Sequence, residues 1–443
     1  MKTLLLEDIL PICAVEQSSI LSKQMDLSFG MEIDYPPIFS LSVEEIERMH
    51  KFFCRALEEL PSNATVHLRR SFRRVPFHFC ERHRDLLEKH SDMHFLFRPV
   101  LKSRSLLFIT FRNQPEIEGS LLLKVLRKGS PIRKEHLKSI RENEYLEKVE
   151  KFLGCLECIP ELKIRILGRE DFLGNDKNGL IEQALFGEED HPSALEDISF
   201  EKGEMLIGKR HISILSVANL EGMSPSLCPW GQPGILRSEE DSPCLTLLSP
   251  LGCLFGEEHI LNVFIILTDT SRELSLMERS IRHKHSLELF DRENPAAALE
   301  QEEFVSKLTR EGGRISRVHL NVTLWDENPE ILSRKQSDAA AAFAQLGLKC
   351  HRERNRLLAL YLAAIPGAEG LLGRNQSMTL PLSQASMILS AVSPLVIGAA
   401  TTPSRASTLP AIPSHDLATL VTTVGADAES SEPTSAAPPS KKK

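Results

Sequence analysis

The chain lacks the positive excess that draws a protein to a polyanion. Its 53 Lys and Arg stand against 61 Asp and Glu, for a formal net charge of -8 and a pI near 6.1. That excludes a whole-surface field for nucleic acid. An apolar run of about 18 residues, the length that spans a bilayer as a helix, is also missing. The charge-free stretch Gln376 to Ser404 is broken by Pro381, Ser383, Gln384, Ser386, Ser390, Ser393 and Pro394. No secretory leader is legible, since only Lys2 precedes the short run Leu4 to Leu6, and Glu7 and Asp8 follow at once. The nine cysteines form no even framework and read as reduced thiols of a cytosolic protein. Nor is there a repeat of roughly 20 to 50 residues.

What is present is an ordinary globular composition, 42% hydrophobic and 26% charged, in a chain long enough for two or three domains. The clearest signal is Met25 to Tyr35. Met25, Leu27, Phe29, Met31, Ile33 and Tyr35 alternate with Asp26, Ser28, Gly30, Glu32 and Asp34, the period of a strand with one buried and one wet face. Ser18 to Leu21 reads as its hairpin partner. Ser42 and Glu45 form a capping box, and Val43, Ile46, Met49, Phe53, Leu57 and Leu60 give the helix an apolar stripe that ends at Pro61. Residues 64 to 74 alternate again, with Val66, Leu68 and Phe72 inward and His67, Arg69 and Arg73 on a wet face. A short helix is expected over Glu81 to Glu88, a strand over Leu106 to Phe111, a helix over Lys134 to Cys155 and a strand over Leu162 to Leu167.

Residues 169 to 195 read as a helix-bearing connector. Ile198 to Phe200, Met205 to Ile207 and Ile212 to Val217 read as a meander, and 221 to 244 as a long loop dense in Gly and Pro. Ile260 to Leu267 is apolar enough for a strand buried on both faces. Thr270 with Glu273 reads as a second capping box, with a helix to about Phe290 and another over Pro295 to Thr309. Val318 to Leu324 alternates as a half-buried strand, Asn328 caps a helix with Pro329 first, and Leu348 to Cys350 opens a last strand. The sum is an α+β protein of two mixed or antiparallel sheet units with covering helices. The N-terminal domain is 1–168, the connector 169–195 and the second domain 196–366, split-βαβ-like in plan. A low-complexity tail over 367–443 is expected to be largely disordered.

Few residues carry chemistry. Gly203-Glu204-Met205-Leu206-Ile207-Gly208-Lys209-Arg210 has the glycine and lysine spacing of a phosphate-binding loop, but Arg210 stands where a magnesium-holding hydroxyl is needed. Met205 to Ile207 is strand-like, and a strand follows it where a phosphate-facing helix is required. It reads as a β-hairpin. Arg69, Arg70, Arg73, Arg74, Arg82 and Arg84, interleaved with Phe72, Phe77 and Phe79, form the one basic cluster, read as a solvated edge or partner surface, or alternatively as a single-strand nucleic-acid site. Cys155 and Cys158 make a lone CxxC, Cys80 with His83 and Cys350 with His351 no better, so no metal site is expected. His283 and His285 read as solvated. No catalytic residue, cofactor or small-molecule substrate is expected.

A resemblance comes from many short segments in order. They are Leu10-Pro11, Ile20-Leu21-Ser22-Lys23 with Asp26, Pro37 to Ser42, Leu60-Pro61, Asp197-Ile198-Ser199-Phe200 with Gly208-Lys209, and Ser249-Pro250-Leu251-Gly252. His319-Leu320-Asn321-Val322 with Trp325, and Leu360-Tyr361-Leu362-Ala363-Ala364-Ile365-Pro366-Gly367, complete the set. Together they resemble the N-terminal region of TraG-type conjugation proteins, the large ATPases of conjugative type IV secretion known from Bacteroides-type conjugative transposons. The resemblance implies a docking and assembly module of the DNA-transfer machinery, self-associating, partnered by other secretion components, at the cytoplasmic face of the inner membrane. In the family a RecA-like motor follows this region. No position here matches its catalytic residues, so the expectation is a chain truncated before the motor and without ATPase activity.

Overall fold

In the computed structural model the described residues are 10–36, 42–76, 99–113, 134–175, 178–187, 197–201, 203–219, 255–286, 293–345, 348–372 and 377–389. They build one open antiparallel sheet of 13 strands, with helices on both faces. The α+β class expected from sequence is the class observed.

The first half opens with a meander, β1 (Ile12–Val15), β2 (Ser19–Ser22) and β3 (Leu27–Asp34). Helix α1 (Val43–Glu58) follows, and its capping box is present as expected. Ser42 Oγ accepts from the Glu45 amide at 3.3 Å, and the Ser42 amide donates to Glu45 Oε2 at 2.7 Å. The long hairpin β4 (Ala64–Pro76) and β5 (Pro99–Phe111) comes next, then α2 (Lys134–Leu156), β6 (Lys163–Ile166) and two short helices, α3 (Arg169–Leu173) and α4 (Leu180–Phe186). The second half opens with another meander, β7 (Ile198–Glu201), β8 (Glu204–Ile207) and β9 (Arg210–Asn219). It continues through β10 (His259–Leu267), the helices α5 (Thr270–Ser286) and α6 (Glu293–Glu311), β11 (Ile315–Asp326), α7 (Pro329–Gln345), β12 (Lys349–Arg352) and α8 (Leu357–Ala363). A 3-10 turn (Glu369–Leu371), β13 (Met378–Pro381) and α9 (Leu382–Leu389) close it. Residues 368–389, placed in the tail by composition, are therefore folded over most of their length. The rest of that tail, the helix over 81–88 and the loop over 221–244 lie outside the described residues.

The strands run in space β1-β2-β3-β5-β4-β10-β11-β9-β8-β7. β6 pairs with the outer edge of β3, β12 with β9 and β13 with β11. The two halves, expected as separate sheet units, meet directly. β4 and β10 pair antiparallel from His259↔Phe72 to Ile266↔Thr65. Helices α1, α2, α7 and α9 pack on one face of the sheet around Phe53, Phe152, Phe343 and Leu389. Segments α3, α4, α8 and the 3-10 turn pack on the other around Phe108, Phe172, Phe264 and Leu360.

This second cover corrects three expectations of wet strand faces. Ser28, His67 and Asn321 on β3, β4 and β11 are fully buried. A cap is also reassigned. Asp269 Oδ1, not Thr270, accepts from the Ser271 amide at 3.0 Å, and Glu273 turns inward to Arg317 at 2.8 Å. The Asn328 cap on α7 stands as expected, with its Oδ1 accepting from the Glu330 amide at 2.9 Å.

Candidate functional site

Among the described residues the expected basic cluster is divided between the two faces of β4. Side chains on a strand alternate between faces, so Arg69 and Arg73 leave β4 on one side and Arg70 and Arg74 on the other. Because β4 is interior, Arg69 and Arg70 are buried, at 5% and 1% exposure, which corrects the solvated-edge reading. Arg69 Nη1 donates to the Ala364 carbonyl at 3.5 Å. The Arg70 guanidinium lies 5.3 Å from the Tyr35 ring centroid and 5.4 Å from that of Phe72. That of Arg73 lies 5.5 Å over the Trp325 ring. Arg74 is exposed and pairs with Glu257 at 2.9 Å. Arg82 and Arg84 lie outside the described residues, as do Cys80 and His83.

Gly203 to Arg210 is the β8–β9 hairpin and its entry, as expected. Gly203 and Gly208 take positive φ at its two turns, and Met205 and Ile207 are buried. Cys155 and Cys158 are free thiols, and no group of His, Cys, Asp and Glu suited to a metal is found among the described residues. His283 and His285 are exposed, as expected, and His285 Nε2 meets Glu302 Oε1 at 2.9 Å on that surface.

The densest set of functional groups is one that strand alternation hides. A polar row crosses five strands beneath α8 and the 3-10 turn. Ser28 on β3 meets Thr110 on β5 at 2.7 Å, and Thr110 Oγ1 donates to Glu369 Oε2 at 2.8 Å. Glu369 Oε1 lies 3.3 Å from His67 Nδ1. His67 Nε2 lies 3.2 Å from Asn262 Oδ1, and Asn262 Nδ2 donates to Asn321 Oδ1 at 3.0 Å. The proton inventory follows from the donors. Thr110 spends its hydrogen on Glu369, so Ser28 donates to Thr110. Asn262 presents its carbonyl oxygen to His67, so His67 carries its proton on Nε2. The His67 ring is stacked on Phe264, with centroids 4.1 Å apart.

Asp26, on the β2–β3 turn, lies beside the row, close enough for its charge to be felt by Glu369. Its Oδ1 accepts from the Asn113 amide at 2.9 Å. Burial lifts its carboxyl above the usual aspartate range and Glu369 adds to the rise, while the Asn113 amide and Arg112 oppose it. Every member of the row is at most 4% exposed, so no outside substrate reaches it. What it can do is hold. A carboxylate on a turn late in the chain is fixed to strands from its beginning. Sequence offered one signal for it: Asn262 is the one amide inside the apolar run His259–Leu267, and the partners that make it tolerable come from far along the chain.

Among the described residues no helix is long and apolar enough to cross a membrane. No curated protein matches the chain. Residues 1–51 match the protein family described as "Domain of unknown function, B. Theta Gene description (DUF3875)", so the chain is similar to that family over its first meander and the opening turns of α1.

Proposed function

We propose that this chain is the N-terminal, non-motor module of a TraG-type conjugative transfer ATPase, acting in docking and assembly of the DNA-transfer machinery and holding no nucleotide site of its own. The observation that carries the reading is the ordered run of family-like segments from Leu10-Pro11 to Leu360–Gly367. The family match over residues 1–51 overlaps the start of that run. Several of the segments form structural joints here. Ser22 and Asp26 close the β2–β3 turn, Asn321 ends the polar row, and Leu360 to Gly367 forms most of α8 and leads into the turn that carries Glu369. The Gly203–Arg210 hairpin favours the absence of a phosphate cradle, since its central residues are committed to strand pairing.

Two measurements test the reading. Titrated with Mg-ATP, the purified chain is expected to show no saturable binding and no turnover, and either one overturns the claim about nucleotide. Produced in donor cells beside an intact conjugation apparatus, the chain is expected to lower transfer frequency by occupying the motor's docking place. Unchanged transfer at verified expression removes docking.

A further inference from the structure

The two halves of the sheet match strand for strand. In the first half, β3, β4, β5 and β6 lie in the order β6-β3-β5-β4; in the second, β9, β10, β11 and β12 lie in the order β12-β9-β11-β10. Each is the split βαβ arrangement, a strand pair opened by the strand between them. In each half the first of these strands is the last of a three-stranded meander. The short strand that returns shares the same outer edge as the meander. The lengths agree. β1 and β7, β2 and β8, and β6 and β12 all have 4 residues, and β5 with 13 answers β11 with 12. The halves meet through the antiparallel pair β4 and β10, so a local two-fold axis passes between those strands, where Arg69 faces Asn262.

After its returning strand each half carries a helical segment that ends at or near a glycine. In the first half this is α3 and α4, ending at Gly187; in the second it is α8 and the 3-10 turn, holding Gly370. Each segment reaches across the axis to the other half's hairpin. A Cβ on Gly370 would stand 2.3 Å from Asp26 Oδ2, and one on Gly187 would stand 2.5 Å from Arg210 Nη1. Asp26 and Arg210 are corresponding residues, because Ser22 with Asp26 and Ile207 with Arg210 are the closing pairs of the two hairpins. Arg210 Nη2 donates to the Phe186 carbonyl, and Glu369 holds His67 and Thr110. The two crossing segments also touch, Tyr361 Oη donating to the Leu185 carbonyl at 2.8 Å.

We infer that the chain is a fused pseudo-dimer of one fold unit whose two terminal segments are exchanged, each locking the hairpin of the other repeat. One lock is hydrogen-bonded, through His67, Thr110 and Glu369, with Asp26 packed against Gly370. Its counterpart includes the Arg210 guanidinium on the Phe186 carbonyl. The exchange makes each repeat complete only in the presence of the other, and it ties the segment leading to β13 and α9 to the first meander. This holds whatever the chain's place in secretion.

Hydrogen exchange on the full chain, read by mass spectrometry, tests the exchange. Gly370→Ala is expected to speed amide exchange in the β2–β3 hairpin by roughly tenfold while sparing the β8–β9 hairpin of its own repeat. Gly187→Ala is expected to do the converse, loosening β8–β9 and sparing β2–β3. Variants that loosen their own repeat's hairpin, or that leave both unchanged, overturn the inference. Should either fail to fold, Tyr361→Phe removes the contact between the segments. Faster exchange is then expected around Gly187 and Gly370 together, and a change confined to α8 overturns the reciprocity.

Discussion

Glu369 shows what one buried carboxylate is asked to do. It sits on a short turn, yet its two oxygens bind strands β4 and β5 from the opposite end of the chain. Removing it strands a buried imidazole and a buried hydroxyl at about 1 to 3 kcal/mol each, so about 2 to 6 kcal/mol in all. Glu369→Ala should lose about that much in urea unfolding. Glu369→Gln, which keeps a hydrogen-bonding oxygen toward Thr110, should lose less, and equal losses would refute the part assigned to that hydrogen bond. His259 supplies the pH dependence. Its ring stacks on Phe72 with centroids 4.3 Å apart, its Nδ1 lies 2.8 Å from the Glu257 carbonyl, and burial, with the Arg70 charge nearby, lowers its pKa from 6.5 to about 4. Between those values the unfolded chain binds a proton that the folded chain refuses, so stability falls as pH falls from 6.5 and the loss is complete by about pH 4. At about 1.4 kcal/mol for each unit of pKa the loss reaches about 3.5 kcal/mol. Half-buried His50 shifts the same way, and Glu32, Asp171 and Asp326, whose pKa values are lowered, add losses in stronger acid. His259→Phe should flatten the slope above pH 4.5 in chemical denaturation. An unchanged slope would mean the ring takes up its proton without cost.

At the scale of the element, β4 separates arginines that the sequence lists side by side. Arg70 is buried against two aromatic rings, whereas Arg74 sits at the surface in an ion pair. Arg70→Ala should therefore cost about 3 kcal/mol, from a lost desolvated cation–π contact and an unfilled cavity. Arg74→Ala should cost no more than about 1 kcal/mol. Similar costs for both would contradict the assigned faces. The same strand explains how far sequence could be read. Alternation located β3, β4 and β11 and the inward residues of one face, because Val66, Leu68 and Phe72 announce themselves by apolarity. It took the other face for a wet one, because alternation registers polarity rather than solvent. Ser28, Thr110, His67, Asn262 and Asn321 are linked, through Glu369, under a cover built from residues 357–371, and no local pattern shows that cover arriving. Capping was legible where the acceptor adjoins its helix, as at Ser42 and Asn328. It was misassigned at Thr270, because Glu273 had a stronger partner in Arg317 than any backbone amide.

For the whole molecule, the consequence of one sheet is one cooperative transition. Two domains drawn along the sequence would melt apart if a linker joined them. Here β4 and β10 share eight facing residue pairs through the centre of the sheet, and the segments after β6 and β12 cross that same boundary. The duplication behind this arrangement escapes the sequence because its corresponding residues have diverged in kind, Asp26 against Arg210 and Arg69 against Asn262. Only the backbone pairing retains it. Urea unfolding followed by hydrogen exchange should show β3 and β9 losing protection at the same midpoint, since neither can open without undoing ladder bonds or a lock that the other half needs. Val263→Pro, which takes a donor out of the middle of β10 and cannot fit an interior strand, should cost about 3 kcal/mol or more and lower both midpoints together. A chain in which β9 opens while β3 keeps its protection would show two independent domains in contact. It would also mean that the β4–β10 pairing contributes little to holding the halves together.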